Sequence, residues 1–339
     1  MQAAVVLGHL DDDLAAEVDE HLAAHGGSQD RDFGTVVAVL RDDDGRVVGT
    51  GSAHDTTVAI IGDRRFWHYR AVLAPGLGDD AFDELFLEAY HELGRQHVPG
   101  GAGPVGLFVV VDDEDVIARR TEAVWPRVEL YYAGYYDDGR QARLRYFAGA
   151  LTGRDPHPDR PTEFPADWKE LWPLEPGYSA HPYPGDGNIG ADDVIDMWVR
   201  EGALSKDEAA RRIEEVRAVG LAPDGSVCGV ATVYVQHEPQ LRMDLWAFRS
   251  FTAAAHRRSG VAFHLVEQAA IELGRRWEAG LEPDLRGGWS VTEHAGMRRM
   301  FPQAMGVYSP SFFLRERPDG STINVTYAAG ATVPPPPGR

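Results

Sequence analysis

LWAFRSFTAAAHRRSGVAFHLVEQAAIELGRRW, Leu245 to Trp277, is the stretch on which the reading of the whole chain turns. Its apolar opening predicts a strand, and Ala262, Leu265, Val266, Ala269 and Leu273 recur with a helical period. Between them lies a small-residue turn carrying Arg257, Arg258 and Gly260. A strand that opens into a helix through such a turn leaves the first-turn N–H groups free to meet an anion. The two arginines add charge, and Gly260 and Ala262 leave room for close approach to the backbone.

Parts of this stretch occur twice. Phe66-Trp-His-Tyr-Arg-Ala-Val72 parallels Leu245-Trp-Ala-Phe-Arg-Ser-Phe251, Asp44-Gly-Arg-Val-Val-Gly49 parallels Asp224-Gly-Ser-Val-Cys-Gly229, and Glu92-Leu-Gly-Arg95 returns as Glu272-Leu-Gly-Arg275. All three pairs keep one order and one spacing of about 180 residues, which predicts two copies of one fold rather than a solenoid.

The spacing Arg257, Gly260, Ala262 resembles the pyrophosphate-gripping signature of the GNAT superfamily of acyl-coenzyme A-dependent N-acyltransferases: an Arg or Gln, two residues, Gly, one residue, then Gly or Ala. The resemblance implies two tandem GNAT-like α/β domains, each a mostly antiparallel mixed sheet flanked by helices. It implies acetyl-CoA or another acyl-CoA as donor and the amine of a small molecule as acceptor, without a metal. Arg257, Arg258, Ser259, Gly260, Val261 and Ala262 would form the donor turn, and the backbone of Phe251, Thr252 and Ala253 would meet the pantetheine arm and acyl carbonyl. Mycothiol synthase resembles the chain in its paired domains, but no substrate-binding pattern is shared.

Composition narrows the classes. The 339 residues suffice for two cores, and 43% hydrophobic with 25% charged residues describes a soluble globular protein. There is no apolar run long enough to span a bilayer and no basic leader, so a bacterial cytoplasmic setting and no membrane partner are expected. A net charge of −20, from 33 basic and 53 acidic side chains, opposes nucleic-acid binding. The single cysteine, Cys228, excludes an internal disulfide and sits in a strand-like run as a structural thiol. His54, His68 and His91 lack the spacing of a metal site. Monomer and homodimer are both open.

The expected organisation is a first domain over 1–150, an ordered Pro- and aromatic-rich connection over 151–190, a second domain over 191–333 and a flexible polyproline tail over 334–339. In the first copy, strands are expected at Gln2 to Gly8, Thr35 to Leu40, Arg46 to Ser52, Thr56 to Ile61, Phe66 to Leu73 and Val105 to Val111. Helices are expected at Asp11 to His25, at Ala81 to Gly94, and from Asp112 to about Trp125; a hairpin pairs Val128 to Tyr136 with Gln141 to Ala148. In the second, helices are expected at Ala191 to Glu201 and Lys206 to Val219, strands at Ser226 to Val235 and Met243 to Thr252, and a closing hairpin at Tyr308 to Arg315 and Thr322 to Tyr327. Where the second copy has arginines at its turn, the first has Asp79 and Asp80, which would repel a pyrophosphate. The first copy is therefore expected not to hold coenzyme A.

Candidate chemistry gathers after the strand Trp289 to Thr292. His294 has a pKa suited to relaying the amine proton, Glu293 is the rival base, and helix capping is open to either. The tyrosine that the resemblance places in the last helix as general acid is missing. Phe301 and Pro302 stand there, leaving Tyr308 or water. Arg249, inside an apolar strand, predicts either a structural salt bridge or an anchor for a carboxylate-bearing substrate, and Trp289 is the accompanying substrate-side candidate. The alternative to an enzyme is a non-catalytic tandem GNAT-like module that binds a small molecule or a protein.

Overall fold

The computed structural model describes every residue except 8–9, 26–33, 153–164, 186–188, 283, 294, 308 and 338–339. The first half runs β1 (Gln2–Val5), α1 (Asp12–His25), β2 (Thr35–Arg41), β3 (Val47–Val58), β4 (Arg64–Leu73), α2 (Asp79–Arg95), β5 (Gly106–Val111), α3 (Glu114–Arg119), β6 (Val124–Trp125), β7 (Leu130–Tyr135) and β8 (Gln141–Tyr146). The second runs β9 (Ser179–Pro182), α4 (Ala191–Arg200), α5 (Lys206–Arg212), β10 (Val216–Leu221), β11 (Val227–Glu238), β12 (Met243–Thr252), α6 (Val261–Glu278), β13 (Gly287–Thr292), α7 (Ala295–Met300), β14 (Phe312–Glu316) and β15 (Thr322–Tyr327).

Two mixed, mostly antiparallel sheets result, each flanked by helices. Their strand orders are β1-β2-β3-β4-β5-β8-β7-β6 and β9-β10-β11-β12-β13-β15-β14, the same path apart from the two-residue β6. In each sheet one adjacent pair is parallel, β4 with β5 and β12 with β13. That pairing stops early. The last parallel partners are Tyr69 with Val109 and Phe248 with Ser290, although β4 continues to Leu73 and β12 to Thr252. Past these residues the two strands part and leave a cleft, because a strand end without a partner on one side exposes its backbone groups there.

Several element readings change. Lys206 to Val219 is not one helix: α5 stops at Arg212, a single 3-10 turn follows, and Val216 begins a strand. Burial decides this, since Val216, Ala218 and Val219 are buried in a sheet of β-branched and small residues. The strands expected at Arg46 to Ser52 and Thr56 to Ile61 merge into one, β3, paired through His54 and Asp55 with β4; it ends at Val58, and Ala59–Ile61 is a 3-10 turn. The helix after Asp113 ends at Arg119 rather than near Trp125, which lies in β6. The tail expected to fray is docked where it is described, the Pro334 carbonyl accepting from the Tyr135 hydroxyl at 2.9 Å.

The halves share one core. Phe66, Phe108, Tyr132 and Tyr146 of the first pack with Leu245, Trp289, Phe312 and Phe313 of the second, all buried. Two tyrosines of β7 belong here: Tyr132 is fully buried and Tyr131 nearly so. Backbone bonds cross in matched pairs. Ala123 N–H donates to Ala331 at 2.7 Å and Ala304 N–H to Ala150 at 2.8 Å; Val333 N–H donates to Thr121 at 2.7 Å and Thr152 N–H to Pro302 at 2.6 Å. Corresponding residues of the two copies exchange roles, so the halves meet as an internal pseudo-two-fold pair. No helix among the described residues is long and apolar enough to cross a membrane.

Candidate functional site

The site is built at the end of β12. Register pairs Phe251 with Val230 and Thr252 with Gly229 on β11, leaving the other edge of these residues free of β13. Phe251 and Thr252 are half-buried and Ala253 is buried. The Thr252 hydroxyl oxygen is buried without a hydrogen-bond partner, an arrangement that costs stability. The chain then makes one 3-10 turn, Ala254–His256, and reaches Arg257 in an extended conformation.

Two left-handed residues shape the turn that follows, Arg258 and Gly260, both with φ of 80°. Gly260 is needed twice over. A Cβ there would lie in the left-handed region and would collide with the carbonyl oxygen of Pro173, with that of Trp172 at 3.1 Å. Arg258 has no such freedom and holds a strained backbone. The Ser259 hydroxyl donates to His256 O at 2.8 Å and accepts from Val261 N–H at 3.5 Å, tying the turn together from inside. The N–H groups of Arg257, Arg258 and Gly260 find no acceptor among the described residues, and both arginine side chains are exposed without an ion-pair partner among them. Helix α6 starts at Val261 and projects its positive end at this spot.

The segment between the halves forms one wall. Trp172 stacks on Phe263 at 4.4 Å and meets Phe301 at 5.0 Å, Trp168 packs on His264 at 4.8 Å, and Lys169 pairs with Glu267 at 2.8 Å. Glu175 N–H donates to Ser259 O at 3.0 Å, and the Tyr178 hydroxyl is hydrogen-bonded to His256 Nδ1 at 3.0 Å. His256 therefore supports the turn.

The two copies differ in the groove between the long helix and the strand that parts. In the first half Phe82, Phe86 and Tyr90 of α2 fill it against Tyr69, Trp125 and the β5 face Leu107, Val109 and Val111. At the repeat-equivalent positions the second half has Ala262, Val266 and Ala270 on α6 and Gly288, Ser290 and Thr292 on β13. Val266, read as a core position, is 40% exposed, and Ser290 is exposed too. Small residues leave this groove open where large ones close the other.

The mouth of the first groove is also sealed by charge. Arg119 pairs with Asp79 at 2.7 Å, Arg120 with Asp83 at 3.0 Å and Arg127 with Asp80 at 2.6 Å, and Arg120 lies over the Trp125 ring at 3.8 Å. The Arg119 hydrogen bond lowers the pKa of Asp79, whereas burial raises that of Asp83. Asp79 and Asp80 thus sit at the start of α2 already neutralised by arginines.

The remaining candidates are dispersed. Glu293 is exposed directly after β13, its carbonyl oxygen held by Arg298. His294 and Tyr308 lie outside the described residues. Trp289 is buried in the shared core, 3% exposed, with its indole N–H unpaired. Arg249 makes no salt bridge among the described residues; its guanidinium lies 4.6 Å from the centre of the Tyr234 ring. Cys228 is buried and its thiol pushed up to about 11 by that burial, which suits a structural role. Among the described residues no group of three His, Cys, Asp or Glu side chains is placed to hold a metal ion. Sequence reasoning missed the open groove, although the substitution of Phe82 and Phe86 by Ala262 and Val266 across the repeat carries the signal.

No family model matches this sequence, and no curated protein matches it. Among solved structures the chain is similar to an acetyltransferase of the GNAT family from Streptococcus pneumoniae, at 10% identity and a TM-score of 0.29, covering 44% of this chain and 99% of that one. It is similar to a GCN5-related N-acetyltransferase from Kribbella flavida at 15% identity and a TM-score of 0.28, covering 45% and 98%. A conserved protein of unknown function from Enterococcus faecalis, described as a probable N-acyltransferase, matches at 7% identity and a TM-score of 0.26 over 80% of this chain and 63% of that one.

Proposed function

We propose that the protein is a tandem GNAT-type N-acyltransferase that moves an acetyl or other acyl group from acyl-CoA to the amine of a small molecule, with its donor site in the second half. The observation that carries this reading is the turn itself: at the start of an 18-residue helix, beside the point where two parallel strands part, three N–H groups and two arginines have no partner among the described residues. A pyrophosphate fits such a turn, because oriented N–H dipoles and guanidinium groups stabilise its charge with little rearrangement. The open groove, lined by Ala262, Val266, Ser290 and Thr292, offers room for an extended arm, and the edge of Phe251 and Thr252 that β13 leaves unpaired offers it hydrogen bonds, whereas the Ala253 N–H is already given to the Cys228 carbonyl at 2.9 Å.

In the transfer a C–N bond forms between amine and acyl carbon as the thioester C–S bond breaks. The surplus amine proton passes to a base, for which Glu293 and His294 are the proposed groups, and the leaving thiolate takes a proton from Tyr308 or water. The first half, its groove filled by Phe82, Phe86 and Trp125 and its turn sealed by ion pairs, is proposed to hold no donor.

A non-catalytic binding module is the rival reading, favoured by Phe301 and Pro302 at the place where the resemblance calls for a tyrosine. Calorimetric titration with acetyl-CoA, propionyl-CoA and a long-chain acyl-CoA tests the donor site, and failure of all three to bind would end the enzymatic reading. Amine-dependent release of free thiol separates the two readings. A binding module would show saturation without turnover.

A further inference from the structure

Arg249 is the first residue of β12 beyond the last bridge to β13, and its side chain points to the face opposite α6. Alternation along β12 fixes that face: Phe248 turns towards the α6 core, whereas Leu245, Ala247 and Arg249 share the other side, with Phe251 packed among residues of α4 and β10. Arg249 therefore stands at the parting of the strands, where the donor's reactive end would lie, but looks out on the side from which a second substrate would approach.

The surroundings leave that guanidinium available. It is exposed and stacked on Tyr234, with no carboxylate or hydrogen-bond partner among the described residues, so one edge of its donor fork is unused. Directly across the ladder stands Thr232, 3% exposed, whose hydroxyl is met by Arg212 of α5 at 3.4 Å. Arg212 is fixed in turn by Glu215 at 3.1 Å. Two arginines and one carboxylate thus border this patch, a local positive excess on a chain whose net charge is −20. A guanidinium held over an aromatic ring is pre-organised for the two parallel hydrogen bonds of a carboxylate.

We infer that the acceptor is a primary amine that also carries a carboxylate, an amino acid or a close relative, and that Arg249 holds the carboxylate so that the amine reaches the parted strands. This rests on the acyltransferase reading for its chemistry, but the clamp can be measured without it. Arg249 is then a specificity residue. Its role is to bind the part of the acceptor that does not react.

The test uses matched pairs that differ by the carboxylate alone, L-phenylalanine with 2-phenylethylamine and L-tyrosine with tyramine, with acetyl-CoA as donor and thiol release as readout. The amino acid of each pair should be favoured in kcat/KM by about 10- to 100-fold, the size of one charge-assisted bidentate contact. Arg249→Met, which keeps length and stacking, should bring that ratio close to one through KM, and Arg249→Lys should restore part of it. Equal use of both members by the natural protein, or an unchanged ratio in Arg249→Met, would overturn the inference. Binding of the same two amino acids, measured by calorimetry on the natural protein and on Arg249→Met, is independent of donor. If coenzyme A fails to bind while amino acids bind in an Arg249-dependent way, the donor reading fails and the clamp stands; if neither amino acid binds, the clamp is refuted.

Discussion

Tyr327 donates its hydroxyl to the carbonyl of Tyr132 across the junction of the halves at 2.6 Å, and both residues are buried. The repeat-equivalent Tyr146 does the same in the other direction, to Phe313, at 2.9 Å. Burial holds the phenol pKa of both donors above the ordinary range, so they remain donors at any pH the fold survives. Changing either to Phe leaves a buried carbonyl without that partner and should cost about 1–2 kcal/mol. Scanning calorimetry should show one transition for the natural chain and, for Tyr327→Phe or Tyr146→Phe, one transition at lower temperature. Two separated peaks would contradict a shared core.

Charge at the second turn should control donor affinity. Arg257→Glu removes an attraction and adds a repulsion, and coenzyme A binding should weaken by at least about 10- to 100-fold, corresponding to a phosphate contact of roughly 1.5–3 kcal/mol. Asp79→Ala, in the sealed turn of the first half, should leave affinity nearly unchanged. Titration calorimetry on both variants, with circular dichroism to confirm folding, decides the matter. Equal weakening would mean that the donor site is not confined to the second half.

Backbone strain makes a separate forecast. Arg258→Gly relieves a left-handed non-glycine residue and should stabilise the fold by about 1 kcal/mol while weakening donor binding through the lost charge. Gly260→Ala should do the opposite to stability. Its methyl group meets the Pro173 carbonyl in a conformation alanine resists, so a loss of about 2 kcal/mol or more is expected by urea unfolding.

A pH dependence follows from His68. Burial, with smaller contributions from His54, Arg70 and Arg140, pushes it down to about 4. An unfolded histidine titrates near 6.5, so on acidification the unfolded chain takes up this proton first. The corresponding stability is complete above pH of about 6.5 and is lost as pH falls towards 4. His68→Ala, the residue that its repeat partner Ala247 already is, should flatten that part of the stability profile. An unchanged slope between pH 4 and 6.5 would refute the assignment.

Much of this arrangement was legible in the sequence through the repeat. The strands before each turn and the long helices after them fall where the periodicities place them, with β12 matching Met243 to Thr252 at both ends. Lys206 to Val219 carries a local helical pattern that the sheet overrides beyond Arg212. Its repeat partner in the first half, Thr35 to Leu40, reads as a strand, so the signal for β10 lies in the repeat rather than in the local pattern. What no local pattern could supply is the meeting of the halves. That meeting uses backbone groups and tyrosine hydroxyls, whose partners lie far away in the chain. That Arg249 finds no salt bridge among the described residues has a similar cause, since its contact is the ring of Tyr234 on the neighbouring strand, which leaves its N–H donors unspent.

The exchanged ends also set the order in which the molecule can be finished. As the chain is synthesised, the strands of the first half emerge long before Ala331 and Val333, whose backbone groups complete the bonds to Ala123 and Thr121. Until then Tyr132, Phe108 and their neighbours present an uncovered apolar face, a surface that invites association with other nascent chains. A chain released just after Tyr327 would hold every strand of both sheets but no closure. Ala331 and Val333 are in this sense the lock of the first half.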